Sequence, residues 1–256
     1  MIEILNVSKH FGGIKAVENV SLKIKKETIT GLIGPNGAGK TTLFNIIAGV
    51  YKPSSGKIFL DNKEITNFEP HELFKKGLLR TFQISQEFSS LTVIENLMMV
   101  PDNQSGEVIL NTWLKPSKII KEEKIVKEKA QEVLEFLELS HLSNEYAGNL
   151  SGGQKKLLEL GRTMMVKPKI IFLDEVGAGV NKTLLKKISF LIKKLNKELK
   201  FTFCMIEHDM DLIKELCDPV IVMSEGKILI EGNADEIINN QSVIEAYLGT
   251  GQREKK

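Results

Sequence analysis

The chain has 256 residues, of which 42% are hydrophobic, 27% charged and 6% aromatic, enough for one or two domains around a sizeable core. Its 35 Lys and Arg against 33 Asp and Glu leave a net charge of +2, which gives no support to a nucleic-acid surface. The longest run without Lys, Arg, Asp or Glu is the twelve residues between Glu27 and Lys40. A membrane helix needs about 18, so no span is expected.

In chain order, Val20, Leu22 and Ile24 alternate with polar residues in NVSLKIKK, which predicts a half-buried strand. TITGLIG, ending at Gly34, reads as a strand entering a glycine loop, and KTTLFNIIAGV as the helix after it. GKIFLDNKEI carries another strand and turn. From about Glu87 to Asn149 strand signals are scarce and helical spacing dominates. Lys115 to Lys129 holds six lysines and three glutamates, a solvated helix face that continues into AQEVLEFLEL with Val133, Leu134 and Leu137 on one side. KIIFLDE, 169–175, is a continuous apolar run suited to a strand buried on both faces. FTFCMIEHD and DPVIVMSEGKILIEG supply later strands. Alternating strands and helices predict an α/β fold with much parallel sheet, interrupted by a helical insertion.

MIEILNVSKH lacks the apolar centre of a signal peptide, and Cys204 and Cys217 have neither framework nor metal-ligand spacing. A reducing, cytosolic setting is therefore expected.

Gly34-Pro35-Asn36-Gly37-Ala38-Gly39-Lys40-Thr41 satisfies the phosphate-loop pattern between a predicted strand and a predicted helix. Glycines let the backbone turn successive N–H groups toward phosphates, and the helix points its positive end at the same anion. Lys40 would meet the β/γ phosphates, and the Thr41 hydroxyl would meet Mg²⁺. Thr42 follows in the same loop-to-helix turn. Asp174 and Glu175 close a buried strand at its carboxyl end, where open α/β sheets place their ligand crevice. The Asp can hold Mg²⁺ or its waters, and the Glu can act as general base toward water.

Leu150-Ser151-Gly152-Gly153-Gln154 precedes the helical run KKLLELGRTMMV, twenty residues before Asp174. This LSGGQ resembles the signature of ABC-type ATPases, and the resemblance covers nearly the whole chain. It implies a P-loop NTPase (RecA-like) core with an N-terminal antiparallel β region and an inserted helical subdomain. On that basis residues 1–248 form one ATPase domain, with the core at about 1–86 and 155–248 and the insertion at about 87–154. Residues 249–256 would be a flexible tail.

The resemblance also assigns roles. Gln83 in RTFQ looks like the Q-loop glutamine that contacts Mg²⁺ and the attacking water. His208 in IEHD looks like the switch histidine at the γ-phosphate. Phe11, twenty-nine residues before Lys40, matches the A-loop aromatic that stacks on adenine. Two departures stand out. Val176 replaces the usual Pro after the glutamate, and Asn181 stands where many members carry the D-loop Asp.

In this family the signature of one copy caps the γ-phosphate held by another, so the resemblance implies ATP, Mg²⁺ and a two-fold dimer, homodimeric or heterodimeric. It also implies integral membrane permease subunits, an indirect link to a substrate-binding protein, no nucleic acid, and a peripheral position on the cytoplasmic face of the plasma membrane. FGGIKAVENVSLKI, LLRTFQ with LTVIENLMM, AGNLSGGQKKLLELGR, GAGVN and EAYLG are similar to ATPase subunits of branched-chain amino acid importers. Urea/short-amide importers and lipopolysaccharide-export ATPases share part of this pattern. A soluble, non-transport ABC ATPase is the remaining alternative, and it usually brings tandem halves or long insertions that this chain lacks.

Overall fold

The computed structural model describes residues 1–81, 87–102, 104–107, 109–114 and 116–253. Backbone packing divides the chain into two units. One comprises Met1–Gln83, Lys169–Ala178 and Leu185–Lys256, and the other Ile84–Pro168 and Gly179–Leu184.

The first unit opens with β1 (Ile2–Phe11), β2 (Ile14–Ile24) and β3 (Ile29–Ile33), followed by α1 (Lys40–Ile47). Next come β4 (Ser55–Leu60), β5 (Lys63–Glu64), α2 (Pro70–Lys75) and β6 (Leu78–Arg80). An antiparallel sheet has the order β2-β1-β4-β5. β1 went unread in the sequence because its alternation breaks. Its pairing to β2 shifts between Ile4 and Val7, where Asn6 takes a positive φ of 51°. A bulge there moves the apolar set one position along and hides the period of two. The three-residue β6 was also missed, being too short to show any period.

The second unit carries α3 (Val93–Met98), α4 (Ile109–Leu114), α5 (Pro116–Phe136) and α6 (Gly152–Met164). Thr92 starts α3 with a reciprocal capping box to Glu95, satisfying two orphan N–H groups. Val93, Leu97, Ala130, Val133, Leu134 and Leu157 are buried in it, while α5 exposes Lys118, Lys121, Lys124 and Lys127, with Lys118 3.4 Å from Glu122, and Lys129 Nζ donates to the Met165 carbonyl at 2.9 Å. Asn96 is fully buried and holds Phe88 at both ends: its Oδ1 accepts the Phe88 N–H at 2.9 Å, and its Nδ2 donates to the Phe88 carbonyl at 3.1 Å. By packing this unit also holds α6, which the sequence reading places in the core.

The chain then passes through β7 (Ile170–Asp174), α7 (Lys182–Leu199), β8 (Phe203–Ile206), α8 (Met210–Leu216), β9 (Val220–Ser224) and β10 (Lys227–Gly232). α9 (Ala234–Ile238) and α10 (Gln241–Arg253) close it, so helix continues to Arg253 through the ending expected to be a tail. The second sheet of the first unit has the order β10-β9-β3-β8-β7-β6. β6, β7, β8, β3 and β9 run parallel, and β10 is antiparallel to β9. All five residues of β3 and of β7 are buried, as their unbroken apolar runs require.

Phe172 of β7 meets Phe44 of α1 edge-to-face, with centroids 4.9 Å apart, both rings fully buried. This contact fixes the helix after the glycine loop against the central sheet. Phe172→Ala should lower unfolding stability by about 3–5 kcal/mol in urea titration.

Candidate functional site

Parallel pairing sets the geometry. Leu32 of β3 and Asp174 of β7 both lie level with Ile206 of β8. The three strands therefore release their next residues at one sheet edge: the glycine loop, Glu175, and Glu207 with His208. β6 ends beside them at Arg80.

The glycine loop wraps its own lysine. Lys40 is only 6% exposed, and its Nζ donates to the carbonyls of Gly34 at 2.7 Å and Pro35 at 3.0 Å. Burial pushes the Lys40 pKa down, while Glu175 and then Asp174 pull it back up. At Gly34, φ is +147° and a Cβ would lie 2.1 Å from the Met223 carbonyl oxygen, so the loop enters where no side chain fits. Pro35 and Ala38 are buried, whereas Asn36 and Gly37 are exposed at the loop tip. Gly39 caps α1, Thr41 is exposed in the first turn and Thr42 is partly covered.

Asp174 is buried, and its Oδ2 accepts from Arg80 Nη2 at 2.8 Å. Arg80 also donates to the Asn45 side chain on α1. This buried ion pair was not read from the sequence, where the Arg of RTFQ is one charge among many. Glu175 adopts a left-handed φ of 52°, and its N–H donates to the Ile206 carbonyl at 3.0 Å. That uncommon backbone turns the side chain toward His208, with Glu175 Oε1 and His208 Nε2 3.2 Å apart. Glu207, also unread, is a buried carboxylate whose Oε1 accepts the Gly177 N–H at 2.9 Å. It ties the segment after Glu175 to the strand end that carries His208.

A magnesium ion held against nucleotide phosphates needs only one or two protein oxygens. The Thr41 hydroxyl and the Asp174 carboxylate offer that set. No group of three or more His, Cys, Asp or Glu that could hold a metal occurs among the described residues. Gln83 lies outside the described residues.

Phe11 is partly exposed at the end of β1 and meets Tyr51 edge-to-face at 5.3 Å, with Lys9 Nζ 5.2 Å from its ring. An exposed aromatic pair of this kind can accept a flat, apolar base. Tyr51 was missed because nothing near it in sequence marks it.

In the second unit, Ser151 is the N-cap of α6 and Gln154 its N3 partner, each side chain bonding the other's backbone N–H. Leu150 is buried before them. A Cβ on Gly153 would lie 1.9 Å from Leu184 Cδ2, whereas Gly152 has open space. Within LSGGQ, then, Gly153 permits close packing and Gly152 leaves backbone accessible. Asn181 Oδ1 accepts the Leu184 N–H at 2.9 Å, capping the start of α7 as an Asp would.

A family model described as ABC transporter matches residues 17–178. The chain is 42% identical over 258 residues to the probable branched-chain amino acid transport ATP-binding protein LivG of Archaeoglobus fulgidus, covering 99% of this chain and 97% of the relative. It also resembles a solved ADP conformation of an ATP-binding cassette of an ABC transporter, at TM-score 0.83 and 41% identity over 97% and 98% of the two chains. A dimeric post-hydrolysis cassette bound to ADP and phosphate matches at TM-score 0.75 and 28% identity, over 91% and 99%.

Arg80→Met should cost about 3–5 kcal/mol of stability by stranding the buried Asp174 charge. The same variant should tighten Mg²⁺ binding to the nucleotide complex, read by titration calorimetry.

Proposed function

Since the chain belongs to the ABC transporter family, whose cassettes are ATPases, we propose that it powers an importer of branched-chain amino acids. The observation that carries the chemistry is the convergence of Lys40, Asp174, Glu175 and His208 at the ends of three adjacent parallel strands. The cargo reading rests on full-length likeness to a relative so named. Residues 1–248 act as one ATPase domain on this reading.

ATP enters with its base on Phe11 and its phosphates in the loop Gly34–Thr42. Lys40 exchanges the Gly34 and Pro35 carbonyls for the β/γ phosphates, while loop N–H groups and the α1 terminus face the same charge. Thr41 and Asp174 would hold Mg²⁺, with Gln83 a further ligand, and the ion would supply charge stabilisation at the transferring phosphoryl group. Glu175 takes a proton from water as its oxygen bonds to the γ-phosphorus, and the bond to the ADP oxygen breaks. ADP and inorganic phosphate leave. His208, oriented by Glu175, contacts the γ-phosphate and registers its loss.

Ser151, Gly152 and Gly153, with Leu150 and Gln154 supporting the turn, cap the nucleotide of a second ATPase subunit. Closure on ATP and opening after hydrolysis then drive permease subunits that span the membrane. No described helix of this chain is long and apolar enough to do so. The subunit is peripheral, on the cytoplasmic face, and meets the substrate-binding protein only through the permease.

Glu175→Gln should retain ATP binding, lower hydrolysis about a hundredfold or more and accumulate an ATP-dependent dimer in size-exclusion chromatography. Wild-type turnover in that variant would refute Glu175 as base. Lys40→Ala should weaken ATP binding about tenfold or more in a fluorescent-nucleotide titration. The cargo is tested by trapping Glu175→Gln with ATP in source membranes and identifying what co-purifies. Integral subunits whose binding protein takes Leu, Ile or Val support the importer reading, and ribosomes or repair factors without membrane proteins overturn it.

A further inference from the structure

Three successive residues at the end of β8 engage the turn that carries Glu175. The Ile206 carbonyl accepts the Glu175 N–H at 3.0 Å, and Glu207 Oε1 accepts the Gly177 N–H at 2.9 Å. His208 Nε2 lies 3.2 Å from Glu175 Oε1. The turn also closes on itself, the Ala178 N–H donating to the Glu175 carbonyl at 3.1 Å. The two backbone pairs could form with almost any side chains in place. The bond to Gly177 depends on the side chain at 207.

That side chain is an expensive choice for holding one N–H. Glu207 is 3% exposed, and a carboxylate costs more to bury than a hydroxyl or an amide. In return, an ionised acceptor holds an N–H about twice as strongly as a neutral one. Gly177 leaves room for the approach. A Cβ there would lie 3.3 Å from Glu207 Oε2 and 3.4 Å from Leu185 Cδ1, so any larger residue would press on the carboxylate.

What the bond protects is one torsion. Glu175 has a φ of 52°, a left-handed backbone that a residue bearing a side chain keeps only where its surroundings hold it. A turn free to relax would swing the Glu175 carboxylate away from His208. We propose that Glu207 is a positioning residue for hydrolysis: by gripping Gly177 it fixes the backbone of Glu175 and so the aim of its carboxylate. Glu207 acts through Glu175 and takes no proton itself. The proposal rests on the reading of Glu175 as the general base.

The test compares full-length Glu207→Leu, Glu207→Gln, Glu175→Gln and the Glu175→Gln/Glu207→Leu double variant with the wild-type chain. Glu207→Leu keeps the bulk and removes the acceptor. It should lower kcat about tenfold to a hundredfold, with the Kd for a fluorescent nucleotide within about twofold of wild type. Glu207→Gln keeps an acceptor oxygen and should fall between the two. In the double variant the residual rate of Glu175→Gln should drop no further, because the group being aimed is already gone. Wild-type kcat in both Glu207 variants, or in Glu207→Gln where Glu207→Leu does not fold, would overturn the proposal. So would a Kd that rises as much as kcat falls, or a double variant slowed by the full Glu207→Leu factor. In each of these failures Glu175→Gln itself stays inactive. Wild-type turnover in Glu175→Gln would instead remove the base reading, and the proposal with it.

Discussion

A buried ammonium has to be solvated by something, and at Lys40 the solvent is the protein backbone. With water covering 6% of the residue, the carbonyls of Gly34 and Pro35 take over as acceptors, and the loop curls around the cation it carries. That curl demands a left-handed Gly34 against the Met223 carbonyl, which in turn fixes where β9 lies beside β3. The α1 helix then starts where its N–H groups face the same space, held by the Phe44–Phe172 contact. Much of the first unit can be understood as support for one lysine that waits on carbonyls of moderate strength and is able to leave them for phosphate.

Around this centre, charges are arranged in opposing pairs. Glu175 and then Asp174 favour the charged lysine, and Arg80 forms an ion pair with Asp174. Arg80 also reaches Asn45 on α1, so the same guanidinium spans the strand that carries the carboxylate and the helix that follows the loop. A cation entering against Asp174 meets an established competitor. The electrostatics of the site are thus set by residues from four separated stretches of sequence, which the parallel register brings to one edge.

That origin explains what could be read in advance. The glycine loop, the Asp174–Glu175 pair and the LSGGQ segment are contiguous, and their chemistry depends on local backbone, so spacing alone exposes them. β3 and β7 were equally open, because burial on both faces writes an unbroken apolar run. Arg80, Glu207 and Tyr51 matter only through partners dozens of residues away, and nothing in their neighbours marks them. β1 escaped through its bulge at Asn6, and β6 through its length. Asn181 shows the reverse case: it departs from the family pattern, yet its side-chain oxygen performs the capping that an Asp would perform.

The two cysteines give the central sheet a silent reporter. Cys204 in β8 is paired to Thr30 of β3 and Phe172 of β7, and Cys217 caps α8; both thiols are buried. Burial pushes the Cys204 thiol upward and the Cys217 thiol up to about 12, so neither offers thiolate at neutral pH. Alkylating reagents would therefore ignore the folded subunit and modify it only as often as the packing over these thiols opens. Labelling kinetics at these positions would report the openings that uncover the interior, with no residue altered to obtain the signal.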